Sequence, residues 1–228
     1  MRLLFFCERI CFFMELKGKK IVFLGDSITE GHGTSCKAAR FTEILERTEG
    51  IKAVNLGIGG TRIAMQPGDE KRNDKDYCSR IGTVDSDADI IVIFGGTNDF
   101  GHGFAPIGGP EDKDEKTFTG ALHLLYSSLI ERCPDAVIVV LTPTRRLNED
   151  DPRGDVKKED YLPLSGYVSV IRKTAEKYSL PVLDLWSVSG MQPKIPIIRE
   201  RYMPDGLHPN DRGHERIASL LAGFLKSL

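Results

Sequence analysis

The sequence predicts an α/β fold in which helices cover both faces of a parallel sheet of five strands. Three observations lead there. Five short apolar runs recur from residue 21 onward, helical patterns separate them, and glycine-rich or polar segments follow directly after several of the runs. Right-handed crossovers between parallel strands then bring every strand's C-terminal end to one edge of the sheet.

The runs are Ile21–Leu24, Ala53–Leu56, Ile90–Phe94, Val137–Leu141 and Val182–Leu185. They are largely unbroken apolar stretches, as strands buried on both faces require. Between the third and fourth, Phe118, Leu122, Leu125, Leu129 and Ile130 recur at helical spacing, and Cys133-Pro134 stops that helix. A last helix presents Ile217, Leu220, Leu221, Phe224, Leu225 and Leu228 on one face, opened by a cap at Asn210 or Asp211. No repeat or dividing linker interrupts the alternation, so residues 17–228 read as a single domain behind an N-terminal extension, 1–16. Met1–Cys7 begins like a secretory leader, but Glu8 and Arg9 break the apolar stretch and no small-residue cleavage site follows Phe12-Phe13. An extra helical turn and an upstream start with Met14 as the true initiator both fit, and the second is favoured. No other stretch reaches transmembrane length.

Composition narrows the function classes. At 228 residues the chain can bury one sizeable core, and 40% hydrophobic with 28% charged residues is ordinary globular usage. A net charge of −2 argues against a nucleic-acid partner, which calls for a basic excess. The five cysteines, Cys7, Cys11, Cys36, Cys78 and Cys133, are odd in number and lack metal-ligand spacing. Free thiols in a reducing compartment are expected, with no zinc and a cytoplasmic location.

Four segments carry the chemistry. Gly25-Asp26-Ser27 lies just past the first strand, where a strand-to-helix turn exposes a serine hydroxyl and aims its N–H at the same point. The competing structural reading is a capping box, Ser27-Ile28-Thr29-Glu30. Asn55-Leu56-Gly57-Ile58-Gly59-Gly60 follows the second strand, and its glycines let an N–H turn toward a ligand. A dinucleotide fingerprint fails there because Arg62 occupies the third-glycine position. An ordinary turn remains the alternative. Gly95-Gly96-Thr97-Asn98-Asp99 closes the most apolar strand, and the Asn98 amide can donate to a developing oxyanion, although such residues also favour plain turns. Asp205-Gly206-Leu207-His208 precedes the last helix and pairs an imidazole base with a carboxylate to orient it. Among the other histidines, His123 and His214 read as helix packing, whereas His32 and His102 lie near the sheet edge within reach of a substrate.

Together the four supply a nucleophile, oxyanion donors and a base with its orienting acid, the set a serine acyl hydrolase needs. In this combination the chain resembles the SGNH, or GDSL-like, hydrolase superfamily from about Lys20 to its C-terminus. The blocks Gly-Asp-Ser at Ser27, Asn-x-Gly-x-Gly-Gly ending at Gly60, Gly-Thr-Asn-Asp at Asn98 and Asp-x-x-His at Asp205 and His208 carry the resemblance. It implies a flavodoxin-like three-layer α/β/α sandwich with no metal or organic cofactor. It also implies that Ser27 is nucleophile, His208 base and Asp205 its orienting acid. The oxyanion hole would come from the Ser27 N–H, the Gly60 N–H and the Asn98 side chain.

The expected substrate is a small-molecule ester. Two loops, 101–116 and 145–160, follow strands and should overhang the site, although simple surface insertions are an equal reading. They carry Glu111, Asp112, Asp114, Arg145, Arg146, Asp150 and Asp151 rather than an apolar stripe. That favours short acyl groups, such as acetyl on a carbohydrate, over the longer chains of a lysophospholipase or thioesterase. A non-catalytic ligand-binding module on the same fold is the alternative of another class. Homo-oligomers are common among similar proteins, and no heptad or exposed stripe here specifies one.

Overall fold

Five apolar runs with no polar face must be covered on both sides, and they pair with one another. The computed structural model describes residues 14–66, 76–159 and 161–228. Strands β1 (Lys20–Gly25), β2 (Lys52–Gly57), β3 (Ile90–Phe94), β4 (Val137–Leu141) and β5 (Val182–Leu183) form one sheet in the order β2-β1-β3-β4-β5. Every pairing is parallel. The strand order reverses beside β1, so the ends of β1 and its neighbours β2 and β3 border the crevice where such sheets bind ligands.

Alternate residues of each strand enter different cores. Val22, Leu24, Ile91, Ile93, Ile138 and Val140 face helices α4 (Phe118–Arg132) and α5 (Leu164–Lys177). Ile21, Phe23, Ile90, Val92, Val139 and Leu141 face α2 (Phe41–Glu49) and α8 (Asp211–Lys226). The result is the expected three-layer α/β/α arrangement. Short helices α1 (Ser27–Glu30), α3 (Thr97–His102), α6 (Leu185–Val188) and α7 (Pro196–Tyr202) complete the connections.

Helix α4 ends at Arg132 before Cys133-Pro134, and Thr117 caps its start by accepting from the Gly120 N–H. Asn210 caps α8 through the Gly213 N–H. Strands β1 and β2 each run one residue further at both ends than the apolar runs that predict them, and two later boundaries fall short of the sequence reading. The fifth strand stops at Leu183 because the Asp184 carboxylate collects the Thr142 hydroxyl and the Arg172 guanidinium, and Leu185 already begins α6. Leu228 lies past the end of α8 and is exposed, so that helix's apolar face ends at Leu225.

The N-terminal stretch 1–13, with its two alternative readings, lies outside the described residues, as do Cys7 and Cys11. From Met14 the chain is joined to the fold: the Met14 N–H donates to the Lys226 carbonyl, and Leu16 is buried in the α2/α8 core. Cys36, Cys78 and Cys133 are free thiols. Among the described residues no helix is long and apolar enough to cross a membrane.

Gly57 marks a tight backbone-to-backbone junction that shapes the site. It ends β2 against α1, and a Cβ there would lie 2.1 Å from the backbone nitrogen of Glu30. Neither backbone segment can give way without moving the strand or the helix that carries Ser27. Gly57→Ala is therefore expected to destabilise the protein by about 2–3 kcal/mol, read as a lower urea midpoint at an unchanged slope.

Candidate active site

The turn after β1 is built by Asp26. Its carboxylate accepts from the Ile28 N–H at 3.0 Å and caps α1, which leaves Ser27 as the first helical residue. The capping-box reading of Ser27 is thus overturned. Glu30 does not reach back to a cap either, since its carboxylate accepts from the Gly59 N–H at 2.9 Å. A serine freed from capping can turn its hydroxyl outward, and Ser27 Oγ lies 3.1 Å from His208 Nε2.

His208 is held by its own loop. Asp205 Oδ1 accepts from the backbone N–H groups of Leu207 at 2.9 Å and His208 at 2.7 Å, and Oδ2 sits 2.6 Å from His208 Nδ1. Burial works against ionisation of Asp205, but those amides and the His208 ring outweigh it and hold the carboxyl below its ordinary value. Burial lowers the His208 pKa, and the Asp205 carboxylate only partly restores it. The imidazole is therefore a free base at neutral pH. A hydroxyl, an imidazole and a carboxylate in this line can take a proton off the hydroxyl and hold the imidazolium that forms.

Three donors point from the expected segments. The Ser27 N–H opens α1 and has no intrahelical acceptor. Gly59 spends its N–H on Glu30, whereas the Gly60 N–H meets no acceptor among the described residues. Gly60 has φ +74°, a left-handed conformation that favours glycine. Asn98, the second residue of α3, donates one amide hydrogen to the Thr61 carbonyl at 3.0 Å, which leaves the other available.

Residues 23–216 match the profile of the GDSL-like lipase/acylhydrolase family. The chain belongs to that family. It is a carboxylic ester hydrolase of the GDSL-like type. A GDSL lipase of Mycobacterium tuberculosis is 28% identical over 217 residues, covering 90% of this chain and 80% of the relative. A crystal structure of a Lactobacillus plantarum protein is 30% identical and superposes with a TM-score of 0.80 over 92% of this chain and 98% of that one. An acetyl xylan esterase shares the fold at 21% identity, with a TM-score of 0.59 over 90% of this chain and 98% of its own.

Beneath the edge of this GDSL-like hydrolase lies a buried polar layer with no signature in the sequence. Arg80, 3% exposed, donates to the Gly25 carbonyl at 3.3 Å, to Thr61 Oγ1 at 3.1 Å and to the Leu56 carbonyl. Asp99 accepts from the Ile63 and Ala64 N–H groups at about 3 Å. Burial pushes the Asp99 carboxyl up to about 6 and that of Asp26 up to about 7. Asp99 was visible in the third block, but its partners come from a segment no local pattern links to it.

Residues 145–159 are docked rather than free. Arg146 is buried, binds both Asp155 carboxylate oxygens at 2.6 and 2.7 Å, and reaches the Thr97 carbonyl of α3. Lys157 Nζ donates to the Asp99 carbonyl and meets Tyr167 Oη, both at 3.0 Å, and burial lowers its pKa to about 8. Arg146 is thus a structural clamp and not a charge on the rim. Phe104, Leu147 and Val156 are exposed instead, giving the two loops more apolar surface than their composition suggested. Phe104 and Val156 join Tyr161, Lys158 and Glu159 around a cavity of about 300 Å³.

The remaining histidines divide as their contexts implied. His123 is buried and bonded to Tyr178 Oη and the Pro110 carbonyl. His214 is buried, stacks on Phe41 and accepts from that residue's N–H. At the edge, His102 lies 3.3 Å from Arg62, and the His32 ring packs edge-on against His208 with centroids 4.2 Å apart.

The raised Asp26 pKa has a sign that can be tested. Between about pH 4 and 7 the native state binds a proton at Asp26 that the unfolded chain has released, so this contribution to stability is lost as pH rises through the folded value. Asparagine keeps the cap acceptor and cannot ionise. Asp26→Asn is expected to melt above the wild type at about pH 8, by an amount on the order of 2 kcal/mol, with the gap closing toward about pH 4.5.

Proposed function

We propose that this GDSL-like hydrolase is a serine esterase acting on short-chain carboxylic esters through an acyl-enzyme. The observation that carries the reading is the line from Ser27 Oγ through His208 to Asp205, with separations of 3.1 and 2.6 Å. His208 Nε2 takes the Ser27 proton as Oγ attacks the ester carbonyl, and Asp205 stabilises the resulting imidazolium. The Ser27 and Gly60 N–H groups and the second Asn98 amide hydrogen receive the developing oxyanion. Collapse of the tetrahedral intermediate releases the alcohol, which takes the proton back from His208. Water, deprotonated by the same imidazole, then hydrolyses the acyl-serine.

The preferred substrate is a short acyl group, acetyl above all, on a carbohydrate or similar polar alcohol. The likeness to an acetyl xylan esterase supports it. A second reading, longer acyl chains, draws on the exposed Phe104, Leu147 and Val156. The two readings differ in one plot, the rate against acyl length.

Hydrolysis of p-nitrophenyl esters from acetate to palmitate should be abolished by Ser27→Ala and fall with chain length in the wild type. Undiminished hydrolysis by Ser27→Ala would overturn the mechanism, and a maximum at medium or long chains would overturn the short-acyl preference. Asn98→Ala should lower kcat about a hundredfold or more with a small change in KM, as expected for a donor used mainly in the transition state.

A further inference from the structure

His32 has no part in the mechanism above, yet it stands against the residue that carries it. One ring nitrogen of His32, one of His208 and a carboxylate oxygen of Asp205 all lie within 4.8 Å of one another. Two imidazoles and a carboxylate are a donor set suited to a borderline divalent ion, zinc foremost. We propose that His32, His208 and Asp205 form a zinc-binding site whose occupation reversibly shuts off the esterase. It is distinct from a cysteine-based structural site, and it is an inhibitory site rather than a cofactor site.

The backbone that presents His32 is fixed. Its N–H donates to the Ser27 carbonyl at 2.8 Å, at the C-terminal end of α1. A few residues on, Ser35 binds Asp211 through both its N–H, at 2.7 Å, and its hydroxyl, at 2.6 Å, which ties this loop to the start of α8 beside His208. The side chains, by contrast, retain room to adjust. A tetrahedral zinc ion with bonds of about 2.0–2.1 Å holds its ligand atoms about 3.4 Å apart. Reaching that spacing draws in the exposed His32 side chain and widens the 2.6 Å Asp205–His208 contact.

Inhibition follows from what the ion must displace. An ion shared with Asp205 takes Nδ1 of His208, the nitrogen that faces that carboxylate, so the Asp205–His208 hydrogen bond of the proton path is lost. Any proton displaced from the ligating nitrogen goes to solvent. The fourth position of the ion is left to water, so the proposal asks no other residue to move. The site stands on geometry alone, and only its consequence for catalysis rests on the esterase reading above.

The test uses zinc chloride with the full chain, with binding measured by calorimetry and inhibition by p-nitrophenyl acetate hydrolysis. Wild type and Ser27→Ala should each bind one equivalent, and His32→Ala should bind at least about tenfold more weakly. Hydrolysis, normalised to each protein's own metal-free rate, should need correspondingly more zinc for half-inhibition in His32→Ala. Equal affinity in wild type and His32→Ala would place the ion elsewhere and overturn the proposal, as would no stoichiometric binding by the wild type. Binding without inhibition would overturn its regulatory consequence. Because Ser27→Ala reports binding without turnover, failure of the zinc site and failure of the esterase reading give different results.

Discussion

The edge that carries the site depends on one buried cation. Arg80, in the segment Cys78–Thr83, joins the carbonyl groups of Gly25 and Leu56, at the ends of adjacent strands, to the Thr61 hydroxyl. The Gly25 carbonyl also accepts from the Ile58 N–H at 3.1 Å, so the guanidinium gives it a second donor where β1 ends, and a buried carbonyl left short of a donor costs about 1–3 kcal/mol. The same guanidinium lies close enough to Asp26 to favour its ionised form against the pull of burial. It thus links the turn that presents Ser27 to the turn that presents Gly60. Removing its charge while keeping its bulk would take a donor from the Gly25 and Leu56 carbonyl groups and a compensating charge from Asp26, which is why such sites are held as whole networks.

Much of this was legible in the sequence, for identifiable reasons. Apolar runs buried on both faces leave an unbroken signature, so the strands at Ile90–Phe94 and Val137–Leu141 stand out with their observed limits. Asn210, one of two cap candidates, bounds the last helix by local capping chemistry, which acts within three residues and is readable there. Ser27, Asn98, Asp205 and His208 stand out because each follows a strand or precedes a helix within a short motif, whereas the choice of Gly60 within its glycine-rich segment rests on the family resemblance. What stayed hidden is long-range. Arg80 meets Gly25 across 55 residues, and Lys157 meets Asp99 across 58, with no periodicity to connect them.

Composition misled where burial reassigns a residue's task. Arg146 reads as part of a charged rim, but its guanidinium is spent on Asp155 and the Thr97 carbonyl. The capping box at Ser27 failed for a related reason. Two acceptors compete for the start of α1, and Asp26, one position earlier, wins by bonding the Ile28 N–H. The box's glutamate is then released to fasten Gly59, which fixes the neighbouring turn instead.

Ser27 and His208 are separated by 181 residues, and the helix that follows His208 packs against α2 and receives the Met14 N–H. The hydroxyl and the imidazole therefore meet only when the first and last parts of the chain have both docked on the sheet. Contacts of such high sequence separation form at the cost of closing a long loop, and they tend to arrive late during refolding. Under the mechanism proposed above, the recovery of ester hydrolysis after dilution from denaturant acts as a clock for the final docking step. Chains stalled with a formed sheet but an undocked C-terminal helix would be spectroscopically ordered and chemically silent.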